Sequence, residues 1–323
     1  MRPTLKIRFC DFHRHLPESL DFFRRLLGSR YELDESAPPD VVLYSNYGRT
    51  HLQYDCVRIF YSMENERPDY LECDFAITFD YSDDPRHLRL PYYLMQAGIE
   101  ALAPRAVLSE QESRDDLSQR DRFCAFVHSN PFGSVRNRLL NRLSRYKPIV
   151  CGGRYRNNLG RCVDDKGHFL RGFKFAFAFE NDSFPGYTTE KLTDVFSAGA
   201  IPIYWGNPRV SEEFNNDAML NRHTFPSDEA FIQRIIEIDQ HDALWLQLRQ
   251  APCFVGDRLP SPLAADHVLD QIERFVATSA QPVAQKYPRW YRHARKCSPP
   301  AITRRAHRFA RHSIKGIRLA TGW

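Results

Sequence analysis

Glu190 and Lys191 stand side by side directly after Thr188-Thr189, a pair of hydroxyl residues of the type that caps helix starts. A carboxylate and an ammonium in the first turn of a helix make an unusual grip. The carboxylate accepts from sugar hydroxyls, the ammonium attracts a phosphate, and the free N–H groups of the helix start add further donors for an anion. The chemistry such a corner suits is nucleotide-sugar binding. On the residues alone, the pair also fits an exposed helix start with no ligand.

The elements around the corner are those that would aim it. Phe173, Phe175, Phe177 and Phe179 alternate with Lys174, Ala176 and Ala178, the period-2 pattern of a strand. A turn-rich run follows through Pro185-Gly186, then Leu192, Val195, Phe196 and Gly199 at helical spacing, then a strand over 200–204. Elsewhere, strands are expected at 5–9, 40–44, 57–61, 73–79 and 123–127. Helices are expected at 16–27, 135–146, 231–238 and 243–249. Alternating strands and helices imply a doubly wound α/β arrangement, with ligands at the carboxyl ends of the strands. Residues 105–122 are charged and lack apolar rhythm, which marks them as a linker. No GxGxxG follows a strand and no GxxxxGK[ST] occurs, which argues against NAD and P-loop chemistry.

Composition narrows the classes further. The 323 residues, 42% hydrophobic and 13% aromatic, have room for two cored domains and exclude wholesale disorder. No apolar run approaches the roughly 18 residues of a membrane span, and MRPTLKIRFC lacks the apolar core of a secretory signal. The eight cysteines show no CxxC and no pairing rhythm. They read as free, mostly buried thiols of a reducing cytosol, and the same scatter argues against a zinc site. Asp164-Asp165, followed by Lys166-Gly167, reads as a turn rather than a metal-binding DxD.

The net charge of +5 is unevenly placed: residues 1–273 hold 33 basic and 40 acidic residues, and the last fifty hold 12 basic and no acidic ones. Ala306, Phe309, Ala310, Ser313, Ile314 and Ile317 share one helical face, ringed by Arg304, Arg305, Arg308, Arg311, Lys315 and Arg318. A basic helix with an apolar stripe suits an anionic membrane surface, at about 1 kcal/mol per cation near it. Trp290, Tyr291 and Trp323 suit headgroup depth. A solvated tail without fixed structure is the alternative. The basic tail also raises nucleic-acid binding as a rival function, against which stand the acidic body and the lack of a recognition motif.

Phe179-Glu180-Asn181, Gly186 to Lys191 and Ile201 to Gly206 together resemble the donor-binding motif of the α-1,3/1,4-fucosyltransferases of glycosyltransferase family 10. SNPFGSVRN (129–137), GGRYRNNLG (152–160), FYSMENERP (60–68), CDFAITFD and HLRLPYY (87–93) are similar to family text as well, so the resemblance covers roughly residues 5–225. It implies an α/β fold of GT-B type, two Rossmann-like domains facing a cleft, with a basic C-terminal tail. The corresponding domains are 1–115 for the acceptor, 116–275 for the donor and 276–323 for the tail.

The resemblance also implies GDP-fucose as donor and an inverting displacement at its anomeric carbon. Arg136 and Lys191 match the residues that neutralise the diphosphate; Asn181, Tyr187 and Glu190 match donor-binding residues; Glu64 matches the proposed general base. Arg136 paired with a carboxylate, and Glu66 in place of Glu64, are the competing readings. With two cations and a helix start on the leaving diphosphate, no cofactor is obligatory and a divalent cation is at most stimulatory. The expected acceptor is a glycan hydroxyl, such as N-acetylglucosamine of a lipopolysaccharide-type or surface glycan. The expected location is the cytoplasm, peripherally on the inner face of the membrane, with no nucleic-acid partner. A GT-B transferase using a different nucleotide sugar remains the enzymatic alternative.

Overall fold

A computed structural model describes residues 1–14, 17–104, 108–260, 265–278 and 281–286. They fall into two compact units, Met1–Leu90 with the described part of Pro262–Trp323, and Pro91–Ser261. The first unit opens with β1 (Thr4–Cys10), α1 (Glu18–Gly28), β2 (Glu32–Asp34), β3 (Val41–Tyr44), β4 (Val57–Tyr61), β5 (Phe75–Thr78) and β6 (His87–Arg89). Among the described residues these strands form one sheet in the order β2-β1-β3-β4-β5-β6, every pairing parallel. All four residues of β3 and all five of β4 are buried, as befits parallel strands covered on both faces.

The second unit runs α2 (Glu110–Ser118), β7 (Arg122–Phe126), α3 (Ser134–Leu143), β8 (Ile149–Cys151), α4 (Lys166–Leu170), β9 (Phe173–Phe179), α5 (Glu190–Ser197), β10 (Ile201–Trp205), β11 (Leu220–Asn221), α6 (Asp228–Gln240) and α7 (Asp242–Gln250). Its sheet is also parallel, in the order β11-β10-β9-β7-β8. The central strand β9 departs from half-exposed alternation. Ala176 and Ala178 are as buried as the phenylalanines beside them, so the period of two separates large from small residues. Phe175, Phe177 and Phe179 join Ile203, Leu139 and Phe231 in the core of this unit, while the alanines leave room on the other face.

Two expectations need correction. The segment read as a linker contains α2, started by Ser109 and Glu112 as a capping box: each side chain accepts from the other's backbone N–H. It lacked apolar rhythm because its side chains mostly face solvent and are held by ion pairs such as Arg114–Glu110, at 2.7 Å.

The second correction concerns boundaries. Pro91 onward belongs with the second unit, and the chain returns to the first unit near its end. There α8 (Ala265–Thr278) buries Val268, Leu269, Ile272 and Phe275, the last stacked on Phe75 of β5 with ring centroids 4.0 Å apart. Its outer face meets Arg30, which bonds Asp270 at 2.7 Å and Glu273 at 3.0 Å. α9 (Val283–Lys286) follows, with Val283 N–H donating to Asp74 Oδ1 at 2.7 Å. Residues 265–275, which the sequence reading placed in the donor domain, therefore pack on the other sheet. The basic helix of 304–318, Trp290, Tyr291 and Trp323 lie outside the described residues.

Candidate active site

The corner after β9 is built around a carboxylate with no solvent exposure. Glu180 accepts from Thr189 N at 2.7 Å through Oε1 and from Thr189 Oγ1 at 2.8 Å through Oε2, and Lys191 Nζ lies 3.3 Å from that second oxygen. Thr189 caps α5, and its hydroxyl also accepts from Lys191 Nζ at 2.9 Å. Glu190 completes the set, with Oε1 3.5 Å from the same ammonium. Burial would raise the Glu190 carboxyl, but Lys191 and Lys166 outweigh it and hold the group below its ordinary value, so it is ionised. Glu180 moves the other way: burial raises it against the pull of Lys191.

The turn leading into α5 is pinned by Asn207. Its Oδ1 accepts from Gly186 N at 2.8 Å, its Nδ2 donates to Thr188 Oγ1 at 3.1 Å, and its own N–H donates to the buried Tyr204 hydroxyl at 2.8 Å. Gly206 is obligatory beside it, since a Cβ there would lie 2.4 Å from Glu180 Cγ. Tyr187, in the same turn, is almost wholly buried. Trp205 is half-buried and lies nearly parallel to His223, while Tyr204 is core.

Arg136, on α3, is also fully buried. Its Nη2 donates to the carbonyls of Asn130 and Phe132, at 2.5 and 3.0 Å, and its Nη1 to His128 Nδ1 at 3.3 Å and Asn181 Oδ1 at 3.5 Å. Because a guanidinium only donates, His128 Nδ1 must be the acceptor. The imidazole stays neutral, since burial first, and then Arg136, Lys166 and Lys191, drive its pKa well down. Gly153 makes this packing possible, since a Cβ would come 2.1 Å from the His128 carbonyl oxygen. The structure thus joins Arg136 to Asn181, and Lys191 to Glu190. Among the described residues, the four acceptors of Arg136 are two carbonyls, an amide and an imidazole, and none is the carboxylate of the competing reading.

In the first unit, Glu64 follows β4 and accepts from the Tyr47 hydroxyl at 3.1 Å, while its backbone N–H donates to Ser62 Oγ at 3.0 Å. Tyr47 sits in the loop after β3. Asp11, with φ of 60° just past β1, fixes that loop by accepting from Thr50 N, His51 N and His51 Nδ1 at 2.9, 3.0 and 2.7 Å. His13 packs edge-on to the Tyr47 ring, with centroids 4.8 Å apart. The carboxyl ends of β1, β3 and β4 thereby carry one polar cluster, the place where parallel α/β sheets hold ligands.

Two sequence models of one family cover most of the chain: the N-terminal domain of the α-(1,3)-fucosyltransferase FucT over residues 7–96, and the C-terminal region of glycosyltransferase family 10 (fucosyltransferase) over residues 117–250. The chain belongs to glycosyltransferase family 10. It is 32% identical over 288 residues to the α-(1,3)-fucosyltransferase FucT of Helicobacter pylori, an alignment covering 76% of this chain and 59% of that relative. The chain thus spans about three fifths of that relative's length, and less of the next relatives matched, 32% and 37%. A solved α1,3-fucosyltransferase with GDP superposes with a TM-score of 0.73 at 27% identity, covering 89% of this chain and 94% of the other. An α1,3-fucosyltransferase with GDP-fucose gives 0.72 at 26% identity, covering 87% and 92%. The fold is accordingly α/β of GT-B type.

Three residues that hold these side chains escaped the sequence reading. Glu180 was part of a recognised motif, but nothing local marks it as the buried acceptor for Thr189. His128 is eight residues before Arg136, a spacing without a pattern. Lys166 was placed in a turn; it begins α4, capped by Asp165, whose carboxylate accepts from His168 N at 2.8 Å, and it pairs with Asp194 of α5 at 2.8 Å. Among the described residues no group of three or more His, Cys, Asp or Glu is placed to hold a metal, all the described cysteines are free, and no helix is long and apolar enough to cross a membrane.

Proposed function

We propose that this chain transfers L-fucose from GDP-fucose, with inversion, to a glycan hydroxyl in an α-1,3 or α-1,4 linkage. The observation that carries the reading is the corner at the start of α5, where Lys191 is tethered to buried Glu180 and capping Thr189 beside ionised Glu190. It is supported by solved α1,3-fucosyltransferases holding GDP and GDP-fucose at 26–27% identity. Lys191 and the α5 N-terminus receive the diphosphate, while Glu190, with Asn181 and Tyr187, holds the sugar-nucleotide. Arg136 contributes Nη1, whose bonds of 3.3 and 3.5 Å are its longest and the easiest to exchange for a phosphate oxygen.

Chemically, the acceptor hydroxyl attacks the anomeric carbon from the face opposite GDP and gives its proton to Glu64. The bond from that carbon to the β-phosphate oxygen breaks, its electron pair leaving with GDP. Stabilising that departing charge is the task of the cations, and proton removal by a carboxylate is worth on the order of 10²–10⁴ in rate. The acceptor is a surface or lipopolysaccharide-type glycan bearing N-acetylglucosamine, and the basic tail holds the enzyme against an anionic membrane.

The test is transfer from GDP-, UDP- and CMP-sugars to an acceptor array, with linkage analysis of the product. The reading expects turnover with GDP-fucose alone. Lys191→Ala and Arg136→Ala should each weaken kcat/KM for donor by about 10- to 100-fold, the value of a charge-assisted hydrogen bond. Turnover with a UDP-sugar instead, or full activity in both variants, removes this assignment. A tail truncated after residue 286 should lose binding to anionic vesicles and keep transfer to a soluble acceptor.

A further inference from the structure

The Tyr47 hydroxyl is aimed at the carboxylate read above as the base. It lies 3.1 Å from Glu64 Oε1, and an ionised carboxylate only accepts, so the phenol is the donor. The backbone carrying this phenol is fixed from several directions. Tyr47 N–H donates to the Asp11 carbonyl at 3.0 Å, and the Asp11 carboxylate takes the next N–H groups of the loop, those of Thr50 and His51. Gly48 is pressed so closely on this carboxylate that a Cβ would lie 2.2 Å from Oδ1. Glu64 is clamped in turn: Ser62 Oγ accepts from its N–H at 3.0 Å and donates to its carbonyl at 3.1 Å. Two loops, each with its own backbone ties, meet at this one side-chain bond.

We propose that Tyr47 is a positioning residue for the transfer, holding Oε1 of Glu64 so that the other oxygen takes the acceptor proton. The proposal rests on Glu64 being the base. A fixed donor on one oxygen removes rotational freedom from the carboxylate and keeps its other oxygen in one place for the acceptor proton. During the step the hydroxyl proton passes to Glu64 Oε2, the acceptor oxygen bonds the anomeric carbon and GDP leaves with its electron pair. Tyr47 keeps its own proton throughout. Among the described residues, the titratable and charged groups on the neighbouring segments include Asp11, His13 and Arg14 after β1, Arg49 and His51 in the Tyr47 loop, Glu66 and Arg67 beyond Glu64, and Glu72, which pairs with Arg49. All of them persist in a phenylalanine variant, so a change in kcat there reports the lost hydroxyl.

The experiment compares the full chain with Tyr47→Phe and Glu64→Gln in steady-state transfer from GDP-fucose. Tyr47→Phe should lower kcat by about tenfold and leave the KM for GDP-fucose unchanged. Site-specific fluorotyrosine at position 47 keeps the shape and the hydroxyl donor and should keep the kcat of the unsubstituted chain. This substitution serves as the measurement if Tyr47→Phe does not fold, and a tenfold loss of kcat in it overturns the positioning role. Unchanged kcat in Tyr47→Phe, or a lower kcat with an equally weakened KM for GDP-fucose, overturns that role as well. If Glu64→Gln turns over like the unsubstituted chain, the base assignment itself falls and this role with it. An inactive Glu64→Gln beside an unaffected Tyr47→Phe overturns the Tyr47 role alone.

Discussion

Glu180 has no access to water, yet both of its oxygens are used: Thr189 supplies an N–H and a hydroxyl, and Lys191 supplies an ammonium. A buried carboxylate is tolerable only when its lone pairs are filled this way. Here the donors all come from the first turn of α5, so one side chain at the end of β9 sets where that helix begins. Glu180→Ala would leave the Thr189 N–H and hydroxyl without this acceptor, take one of the carboxylates from Lys191 and open a cavity. The expected cost is about 3 kcal/mol, read as a lower urea midpoint, together with weaker GDP binding because Lys191 is then held only from Thr189 and Glu190. A midpoint equal to that of the unsubstituted chain would show that α5 does not depend on this anchor. Thr189→Ser, which keeps the hydroxyl, should retain most of the stability.

At the scale of elements, α3 and the start of α6 are joined by charge. Asp228, in the first turn of α6, accepts from Arg138 at 2.6 Å and from Arg222 at 2.8 Å. Burial would raise its carboxyl, but the bonds and charges of Arg138 and Arg222 prevail and hold it below its ordinary value. A depressed carboxyl contributes stability that is complete above its unfolded pKa, about 4, and fades as pH falls through the folded value. Thermal unfolding followed from neutral pH down through pH 4 should show this loss, and Asp228→Asn should flatten it while lowering stability at neutral pH. A variant with the same acid dependence as the parent would remove Asp228 as the group responsible.

Elements also differ in how plainly the sequence declares them. β4 and β9 were legible to the residue, because each is a short apolar run broken only by one cation, Arg58 or Lys174, and β9 adds the alternation of phenylalanines. α2 was not, since its contacts are salt bridges and its one local signature was the Ser109–Glu112 capping box. In the site, the Glu190–Lys191 corner was visible because a cap, a turn and a helix start are local features. His128, Lys166 and Tyr47 act through partners 8, 28 and 17 residues away, separations that no local pattern encodes.

For the whole molecule, the chain path decides what a truncation does. The polypeptide leaves the first unit at Leu90, builds the second, and returns, so the first unit is closed by helices encoded after residue 264. Val268, Leu269, Ile272 and Phe275 of α8 and Val283 of α9 are all buried there, each at 5% exposure or less. Burying one such side chain is worth roughly 1.5–3 kcal/mol, and five of them rival the 5–15 kcal/mol by which a typical domain is stable. A chain ended after residue 286 keeps both helices and should melt like the full chain. A chain ended after residue 260 removes Phe275 from its stack on Phe75 and leaves Arg30 without Asp270 and Glu273. It should unfold its first unit or aggregate, read as a lost or strongly lowered melting transition and as exchange of the β3 and β4 amides. The second unit carries Arg136 on its own α3 and Glu190 and Lys191 on its own α5, so it should still bind GDP. Unchanged melting of the 260 truncation would mean that α8 is an appendage and that the first unit's core is complete within residues 1–90.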